Sequence, residues 1–372
     1  MAFIITTLKF VIVVIIVILQ IIIITQAISK PGFPPSQKPG CLPSDNQTNL
    51  FCPGQYAYGC YKIPSLLVVP DKNILISFIE ARKYSCDDKG YVDLIYKRSM
   101  DNGKTWSDMK KLYGESTDEN FVTIGDANPV YDKHTKTIFV IFARNNVDLY
   151  VTSSKDYGVT WDKPINITSS AKYGDYGGWA GTGHAGGIQL AESGRLVIPG
   201  YTSSTYAIYS DDHGSSWHVG GILDGGGEAT VAEISNNVLL MNMRNNNQKK
   251  TGDYRLQSYS YDGGLSWNHT SINKDLIAPV DGCEGSLIKH PNGNLYFSNP
   301  THWPLRYNLD IKKSTDNGQT WKHHHTVWKK SAGYSSMRVM PGTDEIGILY
   351  DRNNKTMIIF EAQSVSFTLV DP

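Results

Sequence analysis

Short apolar segments separated by turn residues recur along this chain from about residue 60 to its end. The turn at residues 70–73 joins two of them, 66–69 and 74–79, and an apolar run at 94–96 follows. Further runs lie at 138–142, 196–198, 238–241, 295–297 and 346–349. Apolar runs bounded by Gly, Pro, Asn and Asp are typical of β-strands, and no long amphipathic helical pattern accompanies them. The sequence therefore predicts an all-β fold.

A turn motif, Ser-x-Asp-x-Gly-x-Thr/Ser-Trp, divides these segments into repeats. This boxed turn begins at Ser99, Ser154, Ser210, Ser260 and Ser314, at intervals of 50 to 56 residues. Its Asp accepts hydrogen bonds from nearby backbone, its Gly adopts a positive φ, and its Trp is a large apolar plug. Periods of about 40 to 50 residues indicate propellers and related arrays. Since residues 55–372 hold six such intervals, the sequence predicts a six-bladed β-propeller with five boxed blades.

The N-terminal residues follow a different pattern. Residues 10–19 and 21–24 are apolar, Lys9 precedes them, and the small residue Ala27 follows. Residues 1–27 are therefore predicted to be a cleaved signal peptide or an uncleaved signal anchor, and either one directs the chain into the secretory pathway. Six prolines between residues 30 and 54 disfavour regular strand pairing. We expect a Pro-rich linker at 28–54 and the propeller at 55–372.

Composition narrows the possible functions. Lys plus Arg and Asp plus Glu both number 35, so no basic surface for nucleic acid is expected. Four Asn-x-Ser/Thr sequons agree with a secretory destination, at Asn46, Asn166, Asn268 and Asn354. Five cysteines without metal-ligand spacing predict one or two disulfides, chiefly among Cys41, Cys52 and Cys60, and at least one free thiol, with Cys86 and Cys283 remaining. No cofactor or metal is predicted.

Strand alternation predicts that one end of the propeller gathers charged and tyrosine side chains. The entry to the first strand of a blade and the exit of its second strand lie at the same end, opposite the boxed turn. The residues at or just after these positions are Lys62, Arg82, Tyr201, Glu228, Arg244, Arg306, Tyr334 and Asp351. Such a gathering in a neutral protein predicts a binding or catalytic site.

Several segments resemble the exo-α-sialidases, and most closely the animal lysosomal-type enzyme. The boxed turn resembles their Asp box, and Tyr61-Lys62-Ile63-Pro64 resembles their Phe-Arg-Ile-Pro motif. Further matching segments lie at 80–83, 98–101, 297–300 and 333–336. The resemblance covers the chain from about Tyr61 onward. It implies a six-bladed sialidase propeller that hydrolyses terminal sialic acid from glycoproteins, glycolipids and oligosaccharides, in the lysosome, at the cell surface or in the secreted fraction.

The resemblance also implies a role for each candidate residue. Tyr334 is the nucleophile, Glu228 its base, and Asp88 the general acid and base, with Asp87 a close alternative. The substrate carboxylate is bound by Lys62, Arg244 and Arg306. Arg82 contacts the ring substituents, Tyr201 forms a pocket wall, and Asp351 braces the first member of the carboxylate clamp.

Chemistry explains a tyrosine nucleophile. A sialoside carries a carboxylate on its anomeric carbon, so a phenol avoids the repulsion that an Asp or Glu nucleophile would meet. Two residues depart from the family pattern: Lys62 stands in place of an arginine, and Asp351 in place of a glutamate. Because Lys lacks the planar guanidinium fork, one alternative is a catalytically weak sialic-acid-binding lectin. The other is a trans-sialidase, which keeps the same residues, excludes water and favours a sugar acceptor, with Trp179 or Trp303 as the acceptor platform.

Overall fold

Twenty-four β-strands form the framework of the residues that the computed structural model describes, which are 40–43, 47–175, 177–280, 282–354 and 364–372. The strands pair into five antiparallel sheets, which confirms the all-β prediction. The predicted signal or anchor, residues 1–27, lies outside the described residues, as does Asn46. Within the described ranges, no helix is long and apolar enough to cross a membrane.

The strands follow in chain order with four short helical turns between them. The first fourteen are β1 (Thr48–Phe51), β2 (Cys60–Val69), β3 (Ile74–Arg82), β4 (Val92–Ser99), β5 (Lys110–Tyr113), β6 (Ile124–Asp132), β7 (Thr137–Arg144), β8 (Asp148–Ser154), β9 (Ile165–Asn166), β10 (Gly181–Thr182), β11 (Ile188–Gln189), β12 (Leu196–Tyr201), β13 (Thr205–Ser210) and β14 (His218–Leu223). The others are β15 (Ala229–Ser235), β16 (Val238–Met243), β17 (Tyr254–Ser260), β18 (Ser271–Ile277), β19 (Ser286–Lys289), β20 (Leu295–Pro300), β21 (Tyr307–Ser314), β22 (Lys322–Val339), β23 (Ile346–Arg352) and β24 (Ser364–Val370). The helical turns in the described part are Gln55–Ala57, Pro70–Lys72, Thr168–Ala171 and Gln248–Thr251.

The sheets succeed one another in a propeller-like arrangement. Three of them are the four-stranded groups β2–β5, β6–β9 and β15–β18, and in a fourth β12 pairs with β10, β11 and β13. The last sheet has the order β1-β24-β23-β22-β21-β20-β19. Its long strand β22 pairs with β21 through its first half and with β23 through its second half. Two four-strand groups therefore share one continuous strand.

The outer strand of the last sheet comes from the N-terminal side of the chain. Thr48–Phe51 pairs with β24, and Leu50 and Phe51 are buried there. The linker prediction is wrong for these residues, because Pro43 and Pro53 flank this short strand and do not interrupt it. The fold thus begins before residue 55.

The boxed turns form the local structure that their composition predicts. In the first one, the Ser99 hydroxyl donates to Asp101 Oδ1 at 2.8 Å and accepts a bond from the Gly103 N–H at 2.8 Å. The Asp101 carboxylate also accepts from the Thr105 N–H at 2.8 Å and from its hydroxyl at 2.6 Å. Gly103 has φ 83°, and a Cβ there would lie 2.2 Å from the ring of Phe367.

Tryptophans of the boxed turns pack against the neighbouring sheet. Trp161 lies edge-on to Phe78 of the first four-stranded sheet, with ring centroids 5.8 Å apart, and Trp217 makes the same contact with Phe139. Trp106 likewise contacts Phe367 of the last sheet at 5.6 Å. The repeated Trp therefore fills the space between successive sheets.

Two disulfides join Cys41 to Cys52 and Cys60 to Cys86, while Cys283 is a buried free thiol. The number of bonds and the free thiol are as predicted. Pairing among the first three cysteines is confirmed for Cys41–Cys52 but is wrong for Cys60, because the loop after β3 brings Cys86 beside the start of β2. This bond anchors the loop that carries Asp88.

Candidate active site

A cavity of about 320 Å³ opens at the end of the sheets opposite the boxed turns. Eight of the nine predicted site residues line it: Lys62, Arg82, Asp88, Tyr201, Glu228, Arg244, Arg306 and Tyr334. The ninth, Asp351, is buried in β23 behind the wall. The chain also brings Ile63, Glu80, Asp126, Asn146, Trp179 and Asn246 to this cavity.

Bulges at strand entries direct side chains into the cavity. The register of β2 shifts between Lys62 and Ser65, and that of β22 shifts between Ala332 and Ser335, next to Tyr334. A third shift in β6 lies between Gly125 and Asn128, beside Asp126. A bulge inserts an extra residue into one strand and turns the local backbone, which re-aims a side chain.

Tyr334 and Glu228 form a buried hydrogen-bonded pair. The Tyr334 hydroxyl donates to Glu228 Oε1 at 2.7 Å, and the other carboxylate oxygen of Glu228 accepts from Arg244 Nη1 at 2.9 Å. Burial opposes ionisation of Glu228, but Arg244 and His184 outweigh it and lower the pKa of this carboxyl. Burial and Glu228 raise the pKa of the Tyr334 phenol well above its ordinary value. Glu228 is thus an ionised acceptor positioned for the proton of a phenol that does not ionise unaided.

Arg306 and Lys62 add positive charge to the same cavity. The Arg306 guanidinium lies 5.5 Å from the centroid of the Tyr334 ring, and its Nη2 donates to the carbonyl oxygen of Gly282 at 2.9 Å. Burial, together with the charge of Arg82, lowers the pKa of Lys62 to about 8. Desolvated cations around one cavity form a site for an anion.

Asp351 contacts the backbone next to the candidate nucleophile. Its Oδ1 accepts the Gly333 N–H at 2.7 Å, and the Cys283 thiol donates to the Gly333 carbonyl oxygen at 3.3 Å. Burial raises the pKa of the Asp351 carboxyl, while the charge of Lys62 opposes that rise. The Asp351 side chain therefore interacts electrostatically with Lys62 and accepts a hydrogen bond from the Gly333 backbone.

Asp88 lies on the loop between β3 and β4 and pairs with Arg82. Arg82 Nη1 donates to Asp88 Oδ1 at 2.9 Å, while Nε and Nη2 of Arg82 donate to Glu80 Oε2 at 3.0 and 2.6 Å. The Asp88 side chain is 66% exposed, and although desolvation opposes its ionisation, Arg82 and Lys62 together outweigh that effect and lower the pKa of this carboxyl. Asp87 is absent from the cavity lining within the described residues, so the geometry favours Asp88 of the two candidates.

Asp126 and Glu80 are two buried carboxylic acids of the cavity lining that sequence reasoning missed. Asp126 Oδ2 accepts from the Tyr201 hydroxyl at 2.9 Å, and the Asp126 N–H donates to Glu80 Oε1 at 2.9 Å. Burial, reinforced by Glu80 and Glu228, raises the pKa of Asp126 well above its usual value. The repeat itself indicates Asp126, because Asp126 is the third residue of β6 and Lys62 is the third residue of β2.

A second pair of buried groups lies behind the phenol. The His184 ring contacts the Tyr334 ring edge-on with centroids 4.7 Å apart, and His184 Nδ1 lies 3.0 Å from Glu284 Oε2. Although burial opposes the charged form, Glu284 raises the pKa of His184. The pair supports the Tyr334 ring from the protein interior.

Comparisons with known proteins agree with this geometry. The family model of the BNR repeat-like domain matches residues 141–348. A sialidase of Micromonospora viridifaciens is 30% identical over 366 residues, which is 88% of this chain and 54% of that protein. Sialidase-2 of Cricetulus griseus is 27% identical over 84% of this chain and 93% of its own length. The solved structure of the Hadza microbial sialidase Hz136 has a TM-score of 0.75 and 28% identity, covering 87% of this chain and 68% of the other. The chain thus spans about half the length of the bacterial relative.

Proposed function

Because this chain belongs to the sialidase family, we propose that it is a retaining exo-α-sialidase that releases terminal sialic acid from glycoproteins, glycolipids and oligosaccharides. The observation that carries the proposal is the 2.7 Å hydrogen bond from Tyr334 to Glu228 inside a cavity lined with cations. A phenol, a carboxylate base and a carboxylate clamp are the groups that hydrolysis of a sialoside requires.

Substrate binding places a carboxylate among Lys62, Arg244 and Arg306. Glu228 then accepts the phenolic proton while the Tyr334 oxygen attacks the anomeric carbon. The bond to the leaving oxygen breaks, and that oxygen takes the proton of Asp88. In the second half, Asp88 removes a proton from water, the hydroxide oxygen displaces the Tyr334 oxygen, and Glu228 returns the phenolic proton. Two displacements at one carbon retain its configuration.

The charge on Asp88 links this mechanism to pH. Asp88 must carry a proton to act as an acid, whereas Arg82 and Lys62 hold its pKa low in the free protein. A bound substrate carboxylate offsets the charge of Lys62 and Arg306, which raises the pKa of Asp88. Since the fraction of protonated Asp88 falls as the pH rises, we expect an acidic optimum.

A fluorogenic α-sialoside tests the proposal across pH 4 to 7, with Tyr334→Phe measured in parallel. We expect turnover in the wild type, strongest at the acidic end, and loss of normal turnover in the variant with its thermal midpoint preserved. Wild-type turnover by Tyr334→Phe would refute the role of the phenol. Sialic acid binding without any hydrolysis by the wild type would favour the lectin alternative.

Trans-sialidation is the second candidate, and the position of Trp179 favours it. The Trp179 side chain lines the cavity with 41% of its surface exposed, next to Tyr201. An exposed indole at a cavity mouth is a stacking surface for an acceptor sugar. Trp303 is absent from the cavity lining within the described residues. Incubation with sialyllactose and a labelled galactoside acceptor separates the reactions, since transfer alone yields a labelled sialoside.

Two further features belong to this proposal. We divide the seven-stranded sheet at β22, which gives the six blades that the repeat interval predicts.

We also propose that residues 1–27 act as a signal peptide or an anchor and direct the chain into the secretory pathway. Its destination is the lysosome, the cell surface or the secreted fraction. Expression with and without residues 1–27, followed by fractionation, tests this part.

A further inference from the structure

A second cavity, of about 330 Å³, opens at the other end of the sheets, on the side of the boxed turns. We call it the axial cavity. Residues of β2, β6, β11, β15, β19 and the second half of β22 line it, so every group of strands contributes one wall. The apolar lining includes Leu67, Val130, Ile188, Val231, Leu287 and Val339.

The lining of the axial cavity carries more cationic than anionic side chains. Lys133, Lys289 and Arg338 line it, and among the described lining residues Glu233 is the single acid. Glu233 is already engaged with backbone, because its Oε1 accepts the Asn237 N–H at 3.0 Å and its Oε2 accepts the Ala191 N–H at 2.9 Å. Both oxygens of its carboxylate therefore accept hydrogen bonds from the backbone of neighbouring turns.

Arg338 is the unusual group of this cavity. Its Nη1 donates to the Met337 carbonyl oxygen at 2.7 Å, whereas its buried Nη2 has no hydrogen-bond partner in the described part of the chain. Nη2 lies against Gly186, where a Cβ would come within 1.5 Å of it. Burial lowers the pKa of Arg338 to about 10, so the guanidinium remains charged at neutral pH. The Arg338 side chain is partly buried overall, but its Nη2 group is fully buried, and buried polar groups of this kind are ordinarily paired.

We propose that the axial cavity binds a small organic carboxylate, whose carboxylate pairs with Arg338 and whose apolar body packs against the walls. The planar guanidinium matches a carboxylate, and a volume near the lower end of known ligand pockets suits a small molecule. Inorganic phosphate fits less well, because the walls beside Arg338 are mainly apolar. Since Nη2 faces the Gly186 backbone, pairing involves a rotation of the guanidinium toward the cavity.

The axial cavity is separate from the candidate active site. Tyr334 and Arg338 lie four residues apart on β22, which corresponds to roughly 13 Å along an extended strand. The proposal therefore does not depend on the sialidase reaction. Variants of Arg338 should leave hydrolysis unchanged, which provides a check that they are folded.

Thermal unfolding with hexanoate tests the proposal. Hexanoate should raise the thermal midpoint of the wild type, while hexanamide, which has the same apolar body without the charge, should not. Arg338→Met should lose the hexanoate effect, and its midpoint without ligand should equal or exceed that of the wild type because an unpaired buried N–H group is removed. Arg338→Gln, which retains a donor for Met337, provides a second variant, and exposed Lys329→Met is the control for a lost charge.

The cations of the candidate active site require their own control. Arg244→Met should keep the hexanoate effect if the ligand binds at Arg338. An effect that is lost in Arg244→Met, or that survives in both Arg338 variants, would place the anion elsewhere and overturn the proposal. Absence of any effect in the wild type, or stabilisation by phosphate alone, would overturn it as well.

Discussion

Lys62 gives the carboxylate clamp a dependence on pH that an arginine would not give. Its pKa of about 8 means that the ammonium is charged at pH 7 and neutral at pH 10. A charged hydrogen bond contributes about 1.5 to 3 kcal/mol, so its loss weakens binding about tenfold or more. We expect the affinity for an unreactive sialic acid analogue, measured by calorimetry, to fall as the pH rises from 7 to 10.

Lys62→Arg is the matched variant for this prediction. Its guanidinium stays charged over the whole range, so affinity should be nearly constant from pH 7 to 10 and activity equal to or above that of the wild type. Exposed Lys329→Arg should retain the wild-type fall. If the affinity of the wild type did not change with pH, Lys62 would not contribute its charge to the ligand.

Variants of Asp351 separate two roles for this residue, which are holding the Gly333 N–H and bracing the charge of Lys62. If it acts by holding the Gly333 N–H, Asp351→Asn should keep most activity because its carbonyl oxygen still accepts that bond, while Asp351→Ala should lower kcat about tenfold. If it acts by bracing the charge of Lys62, both variants should raise KM equally. Steady-state kinetics of the two variants, with thermal midpoints as the folding control, separate these outcomes. We predict the first.

At the scale of elements, the loop between β3 and β4 depends on a covalent anchor. The Cys60–Cys86 bond closes a segment of 26 residues and ties the Asp88 loop to β2. Removing both cysteines as Cys60→Ser/Cys86→Ser should cost about 3 kcal/mol of stability. Because Asp88 loses its fixed position, kcat should also fall about tenfold or more.

The other disulfide offers the matched comparison. Cys41–Cys52 closes a segment of 11 residues away from the cavity. Cys41→Ser/Cys52→Ser should therefore lower the unfolding free energy by a similar amount and leave kcat near the wild-type value. Equal loss of kcat in the two double variants would show that general destabilisation, and not the Asp88 loop, controls the rate.

Strand periodicity accounts for what the sequence predicted about the site. Alternation fixes which end of a blade a residue occupies, so Lys62, Glu228 and Tyr334 were placed together without any contact being known. The bulges beside them were not predictable, since a register shift depends on the partner strand. Asp126 was missed because an acid after Gly125 is typical of a surface turn, although the repeat places it at the same strand entry as Lys62 and the bulge in β6 turns it inward.

At the scale of the whole molecule, the shared strand β22 and the outer strand β1 were also beyond local prediction. Boxed turns mark each unit, but nothing in their spacing shows that the chain continues from one unit to the next within a single strand. Prolines around Thr48–Phe51 indicated a linker, whereas pairing with β24 joins residues more than 300 positions apart. Long-range pairing of this kind depends on the tertiary fold and not on local propensity.

This pairing predicts a limit for truncation. A variant that begins at Gly40 keeps β1, and a variant that begins at Gln55 loses it together with the Cys41–Cys52 bond. The second variant exposes the outer edge of β24 and removes the buried side chains of Leu50 and Phe51, each of which contributes about 1.5 to 3 kcal/mol. It also removes the oxygens of Pro43 and Asn49 that accept from Arg352 Nη2, a side chain buried in β23.

The variant that begins at Gly40 is the reference for unfolding in denaturant, because it keeps β1 and the Cys41–Cys52 bond. The variant that begins at Gln55 should be less stable by at least about 3 kcal/mol and should aggregate through the exposed strand edge. The double variant Cys41→Ser/Cys52→Ser separates the loss of the disulfide from the loss of the strand. Equal midpoints for that double variant and the variant that begins at Gln55 would mean that β1 contributes no stability to the last sheet.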